Sequence, residues 1–153
     1  MQPVPDALRQ RLQSDPWAQS LGIEYLDIRP GYCRLALQLQ PHMINFYGTP
    51  HGGVIFTLAD AAFAVACNAH GVPALALNVT ISYLATVAPQ ARLIAEARQR
   101  QQGRRTGLYE VSVYDETGTL VALAHCTAYR VGHRSPPVPA SEVASCLPQR
   151  PSL

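Results

Sequence analysis

Apolar residues recur with two different periods along this 153-residue chain. In Cys33, Leu35, Leu37 and Leu39, in Tyr109, Val111 and Val113, and in Leu120, Ala122 and Ala124 they alternate with other residues, the period of a strand with one buried face. In Val54-Ile-Phe-Thr-Leu-Ala-Asp-Ala-Ala-Phe-Ala-Val-Ala-Cys67 they run almost unbroken on every side, so this segment, if helical, is a buried helix. Gly52-Gly53 stands before the run, and Gly71 and Pro73 follow it. The signals together predict a helix over about residues 53–69.

Strand-like stretches flank the helix. Residues 23–28 and 33–39 read as a hairpin around Arg29-Pro30-Gly31, and residues 41–50 as a loop. After the helix come four more stretches, 75–87, 92–101, 107–115 and 120–131, separated by turn signals at Ala88-Pro89, Gln102-Gly103 and Thr117-Gly118. The resulting plan is α+β, a meander of antiparallel strands wrapped on one long central helix. Residues 1–20 form a short helical arm, broken near Asp15-Pro16 because a residue before proline avoids the helical region. Its Trp17 is expected to pack. Residues 133–153, rich in proline and without periodicity, are expected to be a mobile tail beyond a domain spanning 21–132.

Composition adds an assembly. The chain is 48% hydrophobic and 14% charged, well below the roughly 25% charge usual for soluble domains, which points to surface buried in an oligomer. A net charge of +2 without aromatic-interleaved basic motifs argues against nucleic acid. The apolar helix falls short of the roughly 20 residues a membrane span needs and carries Asp60 at its middle. No secretory signal is visible, and Cys33, Cys67, Cys126 and Cys146 show no paired spacing; reduced thiols in a cytoplasm are the expectation.

One charge stands alone. Asp60 is the single formally charged residue among the 57 between Arg34 and Arg92. An apolar setting raises a carboxyl pKa and makes the group a better base near neutrality; the alternative is a partly exposed aspartate at a helix or subunit edge. Gly52 and Gly53 allow a substrate oxygen to approach the amides of the first helical turn, where the helix dipole favours developing negative charge, or they simply make a tight turn. Such a pairing fits acyl transfer. Gly53 and Asp60 share a helical face but lie roughly 10 Å apart along the axis. A dimeric site, in which one subunit's Asp60 faces the other's Gly53, removes that gap. Asn45 and His51 in the preceding loop are further candidates, with loop self-capping and a core histidine as their plainer roles. His42, His70, His125 and His133 lack metal-like spacing, so no metal is expected. Ser82 and Ser112 carry no nucleophile signature. Arg98, Arg100, Arg104 and Arg105 gather about the Gln101-Gln102-Gly103 turn, either on a phosphate or as a solvated strand end.

The segment Asn45-Phe-Tyr-Gly-Thr-Pro-His51-Gly52-Gly53 through Asp60-Ala-Ala-Phe-Ala resembles the signature of hotdog-fold acyl-CoA thioesterases of the PaaI-like branch, with likeness extending over about residues 21–132. The resemblance implies a homodimer with two shared sites, often paired into a tetramer, and thioester hydrolysis with coenzyme A entering as part of the substrate and no other cofactor. It implies that Gly53 donates its amide to the thioester carbonyl beside Gly52, that Asp60 activates water or attacks, and that Asn45 and His51 hold the water and leaving-group region. Tyr83 and the turn of Gln101, Gln102, Gly103, Arg104, Arg105 and Thr106 are implied to contact coenzyme A. The chain departs from some relatives at Ala76, where they carry Ser or Thr, and at Gln90-Ala91. A dehydratase or hydratase on acyl thioesters, using His51 and Asp60, and a non-catalytic acyl-CoA-binding module are the competing functions. Phe56, Leu58 and Phe63 are expected to wall the acyl pocket.

Overall fold

The structure, a computed structural model, describes residues 3–131 of the chain; the segment expected to be a tail lies outside them. Two short helices, α1 (Asp6–Leu12) and α2 (Pro16–Ser20), precede strands β1 (Glu24–Arg29) and β2 (Tyr32–Gln38). The central helix α3 (Gly52–Asn68) is followed by β3 (Ala74–Tyr83), β4 (Arg92–Gln102), β5 (Thr106–Asp115) and β6 (Leu120–Arg130). Asp15 caps α2 through bonds from the Trp17 and Ala18 amides, which accounts for the break in the arm. Trp17 does not pack as expected: it is 61% exposed, because Ala18 is the residue of α2 that turns into the core.

All six strands form one antiparallel sheet in the order β1-β2-β4-β5-β6-β3. The sheet curls around α3, which packs mainly against β2, β4 and β5. Alanines at 59, 61, 62, 64 and 66 favour the helix, and small residues let it sit close to the strands. Its buried side carries Ile55, Leu58, Phe63 and Val65 against Leu35, Leu37, Leu93, Val111 and Val113. Each such side chain contributes roughly 1.5–3 kcal/mol by leaving water. Gly31 closes the β1–β2 hairpin with φ +75 and touches both the helix and β4, where an added Cβ would meet Gln99 Oε1 at 2.7 Å. No larger residue fits that corner.

The strand expected over residues 75–87 ends at Tyr83. Its partner β6 begins at Leu120, so beyond the Tyr83–Ala122 pair there is little left to bond, and the chain turns away after the Leu84 and Ala85 amides reach Val121. β3 and β1 are the sheet edges.

Candidate active site

The start of α3 is built by a tight loop. Asn45 Oδ1 accepts the amides of Tyr47 (2.9 Å) and Thr49 (3.2 Å), and its Nδ2 donates to Thr49 Oγ1 (2.9 Å). The Asn45 side chain thus spends most of its capacity holding residues 45–49, and Phe46 and Tyr47 are left 90% and 80% exposed at the tip. An Ile44–Pro50 bridge and the His51 amide on Met43 O then aim the chain into the helix.

His51 is the N-cap, an exposed residue and not a core histidine: its Nδ1 accepts the Gly53 N–H at 2.9 Å. Accepting there requires a lone pair on Nδ1, hence a neutral imidazole with its proton on Nε2. The Gly53 amide, the expected carbonyl donor, is therefore engaged in this structure. Its neighbour differs. The Gly52 N–H has no acceptor among the described residues, while the Gly52 carbonyl accepts Tyr83 Oη at 3.0 Å. An unpartnered amide at a helix N-terminus sits where the dipole favours negative charge.

Tyr83, Gly52 and Ile55 border an apolar recess of about 120 Å³ completed by Thr49, Pro50, Ala85, Thr86 and Val87. These recess residues, except Tyr83 and Gly52, escaped the sequence reading; their signal was the position of Thr49-Pro50 beside His51 and of Ala85–Val87 beyond a strand overestimated in length. Leu58 and Phe63, expected as pocket wall, are 0% and 1% exposed in the protein's own core, because the helical period turns them toward the sheet; Phe56 alone of the three stays off it.

Asp60 lies two turns down, half-buried, without a hydrogen bond or ion pair among the described residues. Burial first, and the Asp15 charge second, push its carboxyl above the ordinary aspartate value. It shares a partly uncovered helix face with Gly53, Phe56, Thr57 and Ala64. Burial also pushes the Cys67 and Cys126 thiols up, to about 11 and about 12, so neither is a thiolate nucleophile near neutrality. The structure does not bring Asp60 together with Gly52 and Gly53 within one chain.

The Gln101–Thr106 turn lies apart, at the β4–β5 connection. Arg104, Arg105 and Thr106 are exposed there, whereas Gln102 turns back on the turn itself, its Nε2 donating to Gly103 O (2.8 Å) and Thr106 O (3.1 Å). Arg98 and Arg100 are paired with Glu96 and Glu110 and form part of a solvated ion-pair row. Among the described residues no three His, Cys, Asp or Glu side chains group to hold a metal, and no helix is long and apolar enough to cross a membrane.

A six-stranded antiparallel sheet around one long helix is the hotdog architecture, and residues 47–122 match the thioesterase superfamily. The chain belongs to that superfamily, in its PaaI-like branch, and is a thioester hydrolase. It is 34% identical to the acyl-coenzyme A thioesterase PaaI of Escherichia coli (strain K12) over 78% of this chain and 86% of that one. The structure of the E. coli PaaI protein superposes with a TM-score of 0.78 at 33% identity, over 81% of this chain and 90% of that chain. A mutant of phenylacetic acid degradation protein PaaI from Thermus thermophilus gives 0.74 at 38% identity, over 76% and 100%. The smu.793 protein of Streptococcus mutans UA159 bound to acetyl CoA gives 0.70 at 27% identity, over 74% and 91%.

Proposed function

We propose that this hydrolase cleaves small acyl- or aryl-coenzyme A thioesters to the free acid and coenzyme A, without metal or other cofactor. The reading rests on one observation above the others: a helix that presents an amide at Gly52 and, on its uncovered flank, a carboxylate at Asp60 with a raised pKa, neither with a partner among the described residues. The relative named as an acyl-CoA thioesterase and the neighbour bound to acetyl CoA support coenzyme A as the carrier.

In this reading the thioester carbonyl is polarised by the amides at the start of α3. Gly52 N–H is open at once, and Gly53 N–H becomes available when the His51 ring swings off it. Asp60 either takes a proton from the attacking water or itself attacks the carbonyl carbon, giving an anhydride that water opens. In both routes the C–S bond breaks: in the first the proton taken from water passes to the sulfur, and in the second the sulfur leaves as thiolate and gains the proton released when water opens the anhydride. His51 and Asn45 hold the water and leaving-group region, Asn45 through the loop it braces. Tyr83 borders the bound acyl end, and Arg104 and Arg105 meet the carrier's phosphates.

The active unit is a homodimer, with Asp60 of one subunit facing the helix start of the other. Two turns of helix separate these groups by roughly 10 Å, too far for one carbonyl carbon to serve both on one helix. The recess of about 120 Å³ is a fraction of the roughly 300–1,000 Å³ usual for ligand pockets, so one subunit supplies a partial wall. Edge strand β3 offers Leu75 and Leu77, 65% and 60% exposed, as apolar surface for a second copy. Pairing of dimers into a tetramer belongs to the same reading. The test is a panel of phenylacetyl-, benzoyl- and medium-chain acyl-CoAs followed by free-thiol detection, with crotonyl and 3-hydroxybutyryl thioesters alongside. Thiol release is the expected result; alkene formation without thiol, or ligand-induced stabilisation without turnover, would overturn the assignment.

A further inference from the structure

The β4–β5 turn is braced from inside by one side chain. Gln102 pairs with Gly107 across the hairpin and sends its Nε2 to the carbonyls of Gly103 and Thr106, while Gly103 N–H closes on Thr106 O at 2.8 Å. Its Oε1 faces the hydroxyl of Tyr109 at 3.5 Å, a side chain 1% exposed that packs edge-on against Phe63 of α3. The Gln102 amide runs over Gly107 so closely that a Cβ there would meet Oε1 at 2.8 Å and Tyr109 Cε2 at 2.9 Å. On the other side Arg130 N–H donates to Arg105 O at 2.8 Å, tying the turn to β6. The turn is therefore held at both carbonyl flanks. What it displays is two arginines, Arg104 and Arg105, exposed and without a carboxylate partner among the described residues. Arg92, Arg98 and Arg100 of the adjoining strand are each paired with a glutamate. A guanidinium without an internal partner keeps its fork of donors for an external anion, and phosphate oxygens match that fork.

We propose that Gln102 is a positioning residue: it does not touch the substrate, as the family likeness implied, but fixes the Gly103–Thr106 backbone so that Arg104 and Arg105 are already set for the phosphates of the thioester's carrier. The inference rests on the reading of this turn as the carrier site. A preset turn spares the ordering of the backbone that carries the two arginines, so its loss weakens capture and leaves the chemical step alone.

The experiment compares KM and kcat for an acyl-CoA and for the same acyl group on N-acetylcysteamine, which has no phosphates. Gln102→Met keeps the volume and removes the hydrogen bonds; Gln102→Leu removes the same bonds with a shorter side chain and serves if the first variant folds poorly. Each is expected to raise KM for the acyl-CoA about fivefold, with a clearly smaller change for the truncated thioester. In an Arg104→Ala/Arg105→Ala background the Gln102→Met increment should vanish, because it acts through those arginines. If the arginine pair is selective for the acyl-CoA while Gln102→Met shifts both substrates alike, Gln102 is merely structural and the proposal falls. If removing the arginines does not distinguish the two substrates, the turn is not the carrier site, and both that reading and the proposal fall.

Discussion

The two ends of α3 are finished in opposite ways. At the C-terminal end Asn68 donates to Ala64 O (2.9 Å) and Ala74 O (3.1 Å) and accepts the Ala74 amide (2.9 Å), and Gly31 N–H closes on Ala66 O at 3.2 Å. Helix, following strand and hairpin turn are joined there by donors and acceptors that satisfy one another. At the N-terminal end a single histidine satisfies a single amide, the neighbouring glycine amide is open, and two aromatic side chains stand in solvent. Stability is concentrated at one end, and unspent hydrogen-bonding capacity at the other, which is where a ligand gains most.

The sharpest way to break this contrast is to remove Asp60, the acid proposed to serve the open end. Asp60→Asn is expected to lower kcat by about two to four orders of magnitude, measured by thiol release. With the carboxylate as the proposed active form and its pKa raised, wild-type kcat/KM should climb with pH through a value above the ordinary 3.8, and the variant should lose that acid limb. Next in size is Gly52→Pro. Proline at the first helical position fits the helix and deletes only the N–H, and His51, at ψ 130, tolerates a following proline. Its ring must shift Tyr83 slightly, since a Cβ at Gly52 lies 3.3 Å from Tyr83 Cζ. We expect a loss of about 10²–10³ in kcat with helicity by circular dichroism retained; full activity would assign the carbonyl to Gly53 alone. Mixing the two inactive variants as unfolded chains and refolding them together should restore turnover, and failure to do so would argue against a site shared between subunits.

At the closed end the expected effects fall on folding. Asn68→Ala strips three hydrogen bonds from the helix-to-strand junction and should cost about 1–3 kcal/mol in chemical denaturation, with turnover per folded molecule retained. The smallest effect is again at Asp60. Its raised folded pKa means the native state binds the proton more tightly than the unfolded chain. The associated cost is absent below the ordinary value and grows as pH rises through the raised one. Asp60→Asn should thus melt slightly higher than wild type near neutral pH and equally at low pH.

The fold was legible where periodicity decides it. The helix expected over 53–69 is Gly52–Asn68, and alternation placed Cys33, Leu35, Leu37, Val111 and Val113 inward as observed. Period alone also misled: Leu58 and Phe63 looked available to a ligand because a run apolar on all sides does not say which side meets the sheet. The end of β3 was missed because it depends on where β6 begins, far along the chain. At the site, residue types were legible and partners were not. Loop self-capping by Asn45 was one of the two roles the sequence left open, but that His51 holds Gly53 and that Gln102 braces a turn are hydrogen bonds chosen among several a side chain could make. Only the folded backbone selects between them.

The close corner at Gly31 has one more implication. Its amide meets Ala66 on the helix, its carbonyl meets the Gln99 amide on β4, and each contact spans many intervening residues. No short contiguous stretch contains the whole clasp, so neither hairpin nor helix can finish its own wiring in isolation. The corner therefore forms only when distant parts of the polypeptide meet, at the entropic cost of closing the loops between them.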